Sequence, residues 1–182
     1  RLFLETTMPV GELRYWRSSA IQQLYWPITR DYTLALNGDV GYGRGFGGKS
    51  YPLFKNFYAG GIGTVRGFYA SSLGPTDKEM LPVGIVRDVP VGGQLRVVGS
   101  AEFLFPLPGS GSDRTIRSFV FTDVGNVFAD SSFEVRELRA SAGVGVNWVS
   151  PIGPMKLSFG WPLRYEATDR LQRFQFQVGA GF

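Results

Sequence analysis

Strict alternation of apolar and polar residues is the feature that most constrains this chain, and it recurs in segments of about ten residues. Clusters of Gly, Pro, Ser and Asp separate the segments, and no stretch shows convincing helical periodicity. The pattern predicts eight β-strands, at residues 2–8, 13–26, 32–43, 95–105, 116–128, 138–148, 155–162 and 173–182. We therefore expect one all-β domain over residues 1–182, built as a sandwich or a barrel.

One face of the predicted strands carries no charge from the third strand onward. In the fourth strand this face reads Leu95, Val97, Gly99, Ala101, Phe103 and Phe105. The opposite face carries the charged residues of the same strands: Asp39, Arg96, Glu102, Arg117, Asp123, Arg139 and Lys156. A soluble sandwich or lipocalin would point the uncharged face inward, whereas a transmembrane barrel would point it at lipid.

Two details favour the transmembrane barrel. Aromatic residues lie at strand ends on the uncharged face, as an interfacial girdle requires: Tyr32, Tyr42, Phe105, Trp148, Trp161 and Phe182. Glycines concentrate on the charged face, where a crowded lumen needs room: Gly41, Gly43, Gly143, Gly145, Gly160, Gly179 and Gly181. We predict an antiparallel transmembrane β-barrel segment of eight strands, with a soluble sandwich as the alternative.

Composition narrows the possible functions. The chain contains no Cys and no His, which excludes disulfides, a Cys/His zinc site, and the imidazole acid–base pairs of many hydrolases. We therefore expect no enzyme activity, no metal and no cofactor. The net charge is +4, but Lys and Arg are scattered singly rather than clustered, so nucleic acid is not expected as a partner.

A phosphate-binding motif occurs in the glycine-rich stretch after the third strand. Residues 43–50 match the spacing G-x-x-x-x-G-K-[ST] of a P-loop. Such a loop works between a buried strand and a helix N-terminus, but Pro52 follows at once and no helical pattern comes after it. We interpret the stretch as a glycine-rich strand exit.

A connection of about fifty residues, 44–94, separates the third and fourth strands. Strand parity places it at the opposite end from the short connections after the second, fourth and sixth strands. Short periplasmic turns and longer outer loops are typical of outer-membrane barrels. This segment is therefore expected to be an extracellular loop with a function of its own.

Arg66 stands between glycine-rich turns in this loop, and two carboxylates lie on the charged face of the wall. The carboxylates are Glu102 and Asp123. A guanidinium is a planar fork of donors that serves two carboxylates at once. Folding of the loop into a lumen would let Arg66 bind both.

Four motifs resemble the BamA family, the barrel components of the outer-membrane assembly machinery of Gram-negative bacteria. They are Val65-Arg66-Gly67-Phe68, Phe121-x-Asp123-x-Gly125, Ser150-Pro151-Ile152-Gly153-Pro154 and the ending Arg173 to Gly179. The resemblance covers essentially the whole chain. It implies that the segment matches the last eight strands of a sixteen-stranded barrel, without the family's POTRA repeats and first eight strands.

The resemblance also implies roles for particular residues. Val65, Arg66, Gly67 and Phe68 would belong to a loop folded inward, with Arg66 paired to Glu102 and Asp123; we call these six residues the loop latch. Strand 173–182 would form one side of a lateral gate, with Gly179 where it kinks inward. The side chains that would hold this strand at the interface are Phe174, Phe176 and Phe182.

The function implied is assembly and insertion of nascent outer-membrane β-barrel proteins in the bacterial outer membrane. The expected partners are the lipid bilayer, the nascent barrel proteins and, for the parent protein, periplasmic assembly lipoproteins. Two alternatives remain open: a polypeptide-secreting transporter of the same superfamily, and a passive small structural barrel.

The interior of an eight-stranded barrel is filled by its own side chains, so it has no room for a fifty-residue loop. Unpaired strand edges do not persist against lipid. We therefore expect that the chain alone either closes edge to edge with its loop displaced, or self-associates through its free edges.

Overall fold

The computed structural model describes residues 1–8, 13–80, 86–107, 109, 115–151 and 153–179. Two single-turn 3₁₀ helices, Leu53–Lys55 and Val135–Glu137, interrupt an all-β fold. No helix among these residues has both the length and the apolar character needed to cross a membrane. The strands are β1 (Leu2–Thr6), β2 (Tyr15–Pro27), β3 (Thr33–Gly45), β4 (Gly67–Phe68), β5 (Thr76–Met80), β6 (Val86–Pro90), β7 (Leu95–Pro106), β8 (Ile116–Phe128), β9 (Arg139–Ser150), β10 (Gly153–Arg164), β11 (Leu171–Gln172) and β12 (Phe174–Val178).

Eight of these strands form one antiparallel sheet in the order β1-β2-β3-β7-β8-β9-β10-β12. All eight coincide with predicted strands, and β8 has the predicted bounds. Several other ends differ by one to three residues, and the predicted end of the last strand, 180–182, lies outside the described residues. The prediction of an all-β, eight-stranded antiparallel sheet is confirmed.

The two faces of the sheet have the predicted orientation. The uncharged face is exposed, with side chains such as Val124, Val144 and Phe176 open to the surroundings. The charged face is covered, and Asp39, Asp123 and Arg139 are buried there. This arrangement is the reverse of a soluble sandwich, so the uncharged face is the one available to lipid.

The structure also assigns the faces of the second strand, where the sequence pattern is irregular. Leu24 lies opposite Leu36, and Arg17 lies opposite Gly43. The even-numbered residues of β2 therefore share the apolar face, and Arg17 lies on the charged face with the loop. Arg14 precedes the strand, and within β2 the exceptions to the alternation are Gln22 on the apolar face and Ile21 and Tyr25 on the charged face.

The long loop lies on the charged face of the sheet, as the resemblance implies for an inward-folded loop, and is not displaced as edge-to-edge closure would require. Ala59, Val65, Phe68 and Leu73 of the loop form a buried core with two residues of the wall, Val98 and Val127. Among the described strands, β1 and β12 have one neighbour each, so the sheet is open. Of the expected alternatives, closure edge to edge is therefore wrong for this structure, because the loop occupies the face that closure would have to enclose.

Aromatic rings pack directly against four glycines of the charged face, as expected for a crowded lumen. An added Cβ at Gly41 or Gly43 would collide with Phe57 or Tyr51 of the loop. An added Cβ at Gly143 or Gly145 would collide with the rings of β8: Phe121 and Phe119, respectively. The glycines therefore form the hollows into which the loop and the neighbouring strand pack.

The P-loop match has no phosphate-binding geometry in the structure. β3 continues through Gly43 to Gly45, and a turn with positive φ at Gly47 and Gly48 follows. The next element is the three-residue 3₁₀ helix, which is too short to offer a helix N-terminus. The interpretation as a glycine-rich strand exit is confirmed.

Candidate functional site

A tight turn in the long loop positions Arg66 against the charged face of the eight-stranded sheet, which forms the barrel wall. Gly60 and Gly61 have positive φ, and the turn is closed by hydrogen bonds from the Thr64 amide to the Gly61 carbonyl and from the Gly60 amide to Thr64 Oγ1. An added Cβ at Gly60 would collide with the carbonyl oxygen of Tyr69, so the loop needs glycine there. The turn fixes where Val65 and Arg66 enter the charged face.

Arg66 binds Asp123 in a two-pronged geometry. Its Nε donates to Asp123 Oδ2 at 2.7 Å and its Nη2 donates to Asp123 Oδ1 at 2.6 Å. The backbone amide of Arg66 donates to the same carboxylate at 3.0 Å. Both residues are almost completely buried, with 2% and 1% of their surface exposed. Three bonds to one buried carboxylate fix the loop on β8.

Glu102 and Ser100 of β7 complete the hydrogen bonding of the guanidinium. Arg66 Nη1 donates to Glu102 Oε1, and Nη2 donates to Ser100 Oγ at 3.0 Å. Lys156 of β10 donates to the same Glu102 oxygen at 2.7 Å. Two cations and two carboxylates thus balance in charge, and the cluster joins the loop to three strands of the wall.

An aromatic platform lies beneath the guanidinium. The Arg66 Cζ atom is 3.6 Å from the ring centroid of Phe121 and 5.6 Å from that of Phe119. Lys156 Nζ lies 4.9 Å from the Phe119 centroid. The faces of these rings carry the negative part of their quadrupole, so they add to the attraction from the carboxylates.

The other latch residues hold the loop by packing and backbone geometry. Val65 and Phe68 are fully buried in the core between loop and wall. Gly67 has a φ of 88°, and an added Cβ there would lie 3.4 Å from Pro162 Cδ. The structure thus brings all six predicted latch residues into one contiguous region.

The predicted gate residues lie on β12 and just after it. Phe174 and Phe176 are exposed on the apolar face, and Phe182 lies outside the described residues. Gly179 follows the last residue of β12 and has a φ of 78°. No atom of the described residues lies within 4 Å of an added Cβ there, and the expectation that Gly179 makes room in a crowded lumen stays a prediction. Backbone conformation favours glycine at this position.

A second anchor, unpredicted from the sequence, holds the start of the loop against the first strands. Arg17 and Arg96 place their Cζ atoms 4.1 and 5.3 Å from the ring centroid of Phe57, and Arg96 pairs with Asp39 at 2.7 Å. Lys55 pairs with Glu5 of β1 at 2.5 Å, and the hydrogen bond to this carboxylate raises the pKa of the Lys55 ammonium. The loop therefore contacts both halves of the sheet.

Sequence reasoning missed Lys156 and the rings of Phe119 and Phe121 as members of the site. The available signal was position, because all three share the charged face of their strands with Asp123 or its neighbours. Large aromatic residues on a charged face are out of place unless something packs on them. Within the described ranges, no group of three or more His, Cys, Asp or Glu side chains is arranged to hold a metal ion.

The fold and the site define a membrane β-barrel segment with a loop locked against its charged wall. The profile of the Omp85 superfamily domain matches residues 1–182. The chain belongs to the Omp85 superfamily, and its sheet is part of an outer-membrane β-barrel.

Individual relatives agree with this assignment. The outer membrane protein assembly factor BamA of Neisseria meningitidis serogroup B is 36% identical, with an alignment covering 98% of this chain and 25% of that protein. A SAM50-like protein of Drosophila melanogaster is 30% identical over 72% of this chain and 28% of its own length. The crystal structure of BamA from Haemophilus ducreyi lacking POTRA domains 1–3 superimposes with a TM-score of 0.85 at 29% identity, covering 95% of this chain and 36% of that one.

These comparisons confirm the resemblance to the BamA family. They also show that the chain spans about a quarter of the Neisseria protein and about a third of the Haemophilus structure.

Proposed function

We propose that this chain is the part of an outer-membrane insertase that carries the edge strand and the locking loop, and that it assists nascent β-barrel proteins into the membrane. The observation that most directly supports this proposal is the edge position of β12, which has β10 as its one neighbour among the described strands. The Neisseria relative is named an outer membrane protein assembly factor and aligns with 98% of this chain, which supports the same role.

The chemistry proposed is strand addition rather than catalysis. The outer side of β12 presents main-chain N–H and C=O groups, and a substrate strand would pair with them by β-augmentation. Phe174 and Phe176 would face lipid, while the alternate residues Gln175 and Gln177 would face the lumen. Main-chain hydrogen bonds replace one another in such an exchange, so the step needs no cofactor or external energy source.

The latch has the role of an internal brace in this proposal. Its ion pairs hold the loop against β7 and β8. These strands lie in the middle of the sheet, and β9 and β10 separate β8 from the edge strand β12. A wall fixed on the lumen side keeps its shape while the edge strand exchanges partners. The proposed partners are the lipid bilayer and nascent barrel proteins, with periplasmic assembly lipoproteins for the parent protein.

The test is depletion of the full-length protein in its own cell, followed by measurement of folded outer-membrane barrels by their heat-modifiable gel migration. We expect many different barrel proteins to lose their folded form together, and to recover when the intact protein is restored. If one secreted polypeptide disappears while the barrels fold normally, the proposal is wrong and the secreting transporter of the same superfamily is favoured. If neither changes, a passive structural barrel is favoured instead.

A further inference from the structure

The edge strand pairs with its neighbour over a short stretch. β10 extends from Gly153 to Arg164, but its ladder with β12 covers Met155 to Phe159. Two further bonds extend this ladder: the Gly179 amide donates to the Pro154 carbonyl at 2.9 Å, and at the other end the Gly160 amide donates to the Arg173 carbonyl at 2.8 Å. Beyond that point the chain before β12 leaves β10.

Proline at position 162 suits this departure. In an antiparallel strand, the N–H groups of residues two apart point to the same side, so position 162 faces the same side as the Gly160 amide. Proline has no N–H to donate, and it is tolerated where no strand follows on that side. Pro162 is therefore compatible with a β10–β12 ladder that ends before strand β10 itself ends.

The segment that leaves β10 pairs with the latch loop instead. Leu171 lies opposite Phe68 and Gln172 lies opposite Gly67 in the two-stranded ladder of β11 and β4. The Tyr69 amide extends this ladder by donating to the Arg170 carbonyl at 2.8 Å. The residues just before the edge strand are therefore held by the residues just after Arg66.

Gln175 adds a side-chain bond from the edge strand itself. Its Nε2 donates to the Phe68 carbonyl at 2.6 Å, and the residue is 6% exposed. Its Oε1 has no hydrogen-bond partner among the described residues, so the donor alone anchors the side chain. A buried amide that satisfies a buried carbonyl is costly to remove, because the carbonyl is then left desolvated without a partner.

We infer that Gln175 is a positioning residue, and that with the β4–β11 ladder it forms a strap through which the Arg66 latch sets the position of the edge strand. The loop segment 66–69 is bound on one side to Asp123 of β8 and on the other to the edge strand. Release of the latch therefore frees the strap. This inference rests on the proposed function for its biological meaning, but its structural content is independent of it.

The test is hydrogen exchange in the full-length protein in membranes, comparing Gln175→Met with Gln177→Met. Gln177 is the matched control: it faces the same side two residues later and, in the part of the chain described, makes no hydrogen bond to the loop. We expect Gln175→Met to speed exchange in segments 67–69 and 170–176 by roughly fivefold or more, as loss of one buried hydrogen bond does. Gln177→Met should leave segment 67–69 unchanged.

The variant Asp123→Ala, at the end of the latch that is remote from the edge strand, distinguishes coupling through the strap from an effect of local packing around Gln175. Asp123→Ala changes β8, which is separated from β12 by β9 and β10. It should speed exchange in segment 170–176 through the loop. If segment 67–69 is unaffected by Gln175→Met, or segment 170–176 is unaffected by Asp123→Ala, the inference is wrong.

A cross-link provides a readout that removes no buried bond. Tyr69 and Arg170 are both exposed and lie opposite each other, and the chain has no cysteine of its own. The pair Tyr69→Cys and Arg170→Cys should form a disulfide on mild oxidation, and the yield should fall at least severalfold when Asp123→Ala is added. An unchanged yield contradicts the strap. These readouts do not depend on barrel assembly, so failure of the proposed function in the depletion experiment is recognised separately.

Discussion

Among single residues, Asp123 holds the loop most firmly. It accepts the backbone amide and two side-chain N–H groups of Arg66 in a buried site. Asp123→Ala leaves a buried guanidinium without its main partner, a change that costs roughly 3–5 kcal/mol in dry sites and less where water enters. We expect the long loop of the full-length protein to become sensitive to protease and barrel assembly to be impaired; Arg66→Ala should act in the same direction.

Asp88→Ala is the control for this prediction, because Asp88 is an exposed carboxylate on the β5–β6 hairpin of the same loop. It should leave protease resistance at the wild-type level. Wild-type resistance in Asp123→Ala as well would show that the ion pairs do not hold the loop.

Gly179 is expected to be sensitive to backbone conformation rather than to side-chain size. Its φ of 78° is left-handed, and an added Cβ would meet no atom of the described residues within 4 Å. Gly179→Ala should therefore cost about 1–2 kcal/mol, and Gly179→Asn less, because Asn adopts this conformation more readily. The midpoint of thermal unfolding of the full-length barrel, followed by gel migration, measures both. A larger loss for Asn than for Ala would indicate crowding that the structure does not show.

The chemistry of the latch could be predicted from the sequence, but its full membership could not. Arg66, Glu102 and Asp123 are recognisable because a guanidinium in a glycine-rich loop and two carboxylates on a lumen face complement each other. Gln175 is not, because its partner depends on where the loop packs. Lys156 lies on the charged face of β10, but its partner Glu102 is three strands away on β7, so the sequence pattern alone does not pair them. Gln175 in particular binds a backbone carbonyl, that of Phe68, and every residue of the loop offers such a carbonyl.

At the scale of secondary-structure elements, the glycines of β9 leave room for the aromatic rings of β8 on the charged face. An added Cβ at Gly145 would collide with the Phe119 ring and the Leu157 carbonyl. Gly38 of β3 is the matched control, since it lies on the apolar face and no atom in the described part of the chain lies within 4 Å of an added Cβ. We expect Gly145→Ala to destabilise the barrel by about 1–3 kcal/mol through overpacking. Gly38→Ala should be neutral or slightly stabilising.

Thermal unfolding of the two full-length variants under identical conditions checks this contrast. Equal midpoints for Gly145→Ala and Gly38→Ala would mean that the charged face has more free space than the structure indicates.

The long strands could be predicted from the sequence because each spans the wall and alternates over many residues. The short ladder of β4 and β11 could not, since its two-residue strands carry no period and exist only where the loop meets the segment before β12. The hairpin β5–β6 was missed for a related reason: eight of the ten residues in its two strands are exposed on the loop, so neither face has an apolar pattern to reveal it.

At the scale of the whole molecule, the loop and the closure of the sheet compete for the same space. The loop contributes four of the six residues of the buried core, and it contacts β1 through Glu5 and β12 through Gln175. Closing eight strands around it would require an interior that such a small barrel lacks. The open sheet observed is the arrangement in which the loop keeps these contacts.

This competition predicts the behaviour of the 182-residue chain refolded alone in detergent. Two unpaired edges are unfavourable in an apolar medium, and the loop prevents closure, so two copies should pair edge to edge and yield a folded species of twice the chain mass. Replacing residues 46–94 with a short turn removes the obstacle, so this variant should close as a monomer. Mass measurement of the heat-modifiable species tests both chains. A monomeric, fully folded wild-type chain with its loop protected from protease would show that eight strands can enclose the loop after all.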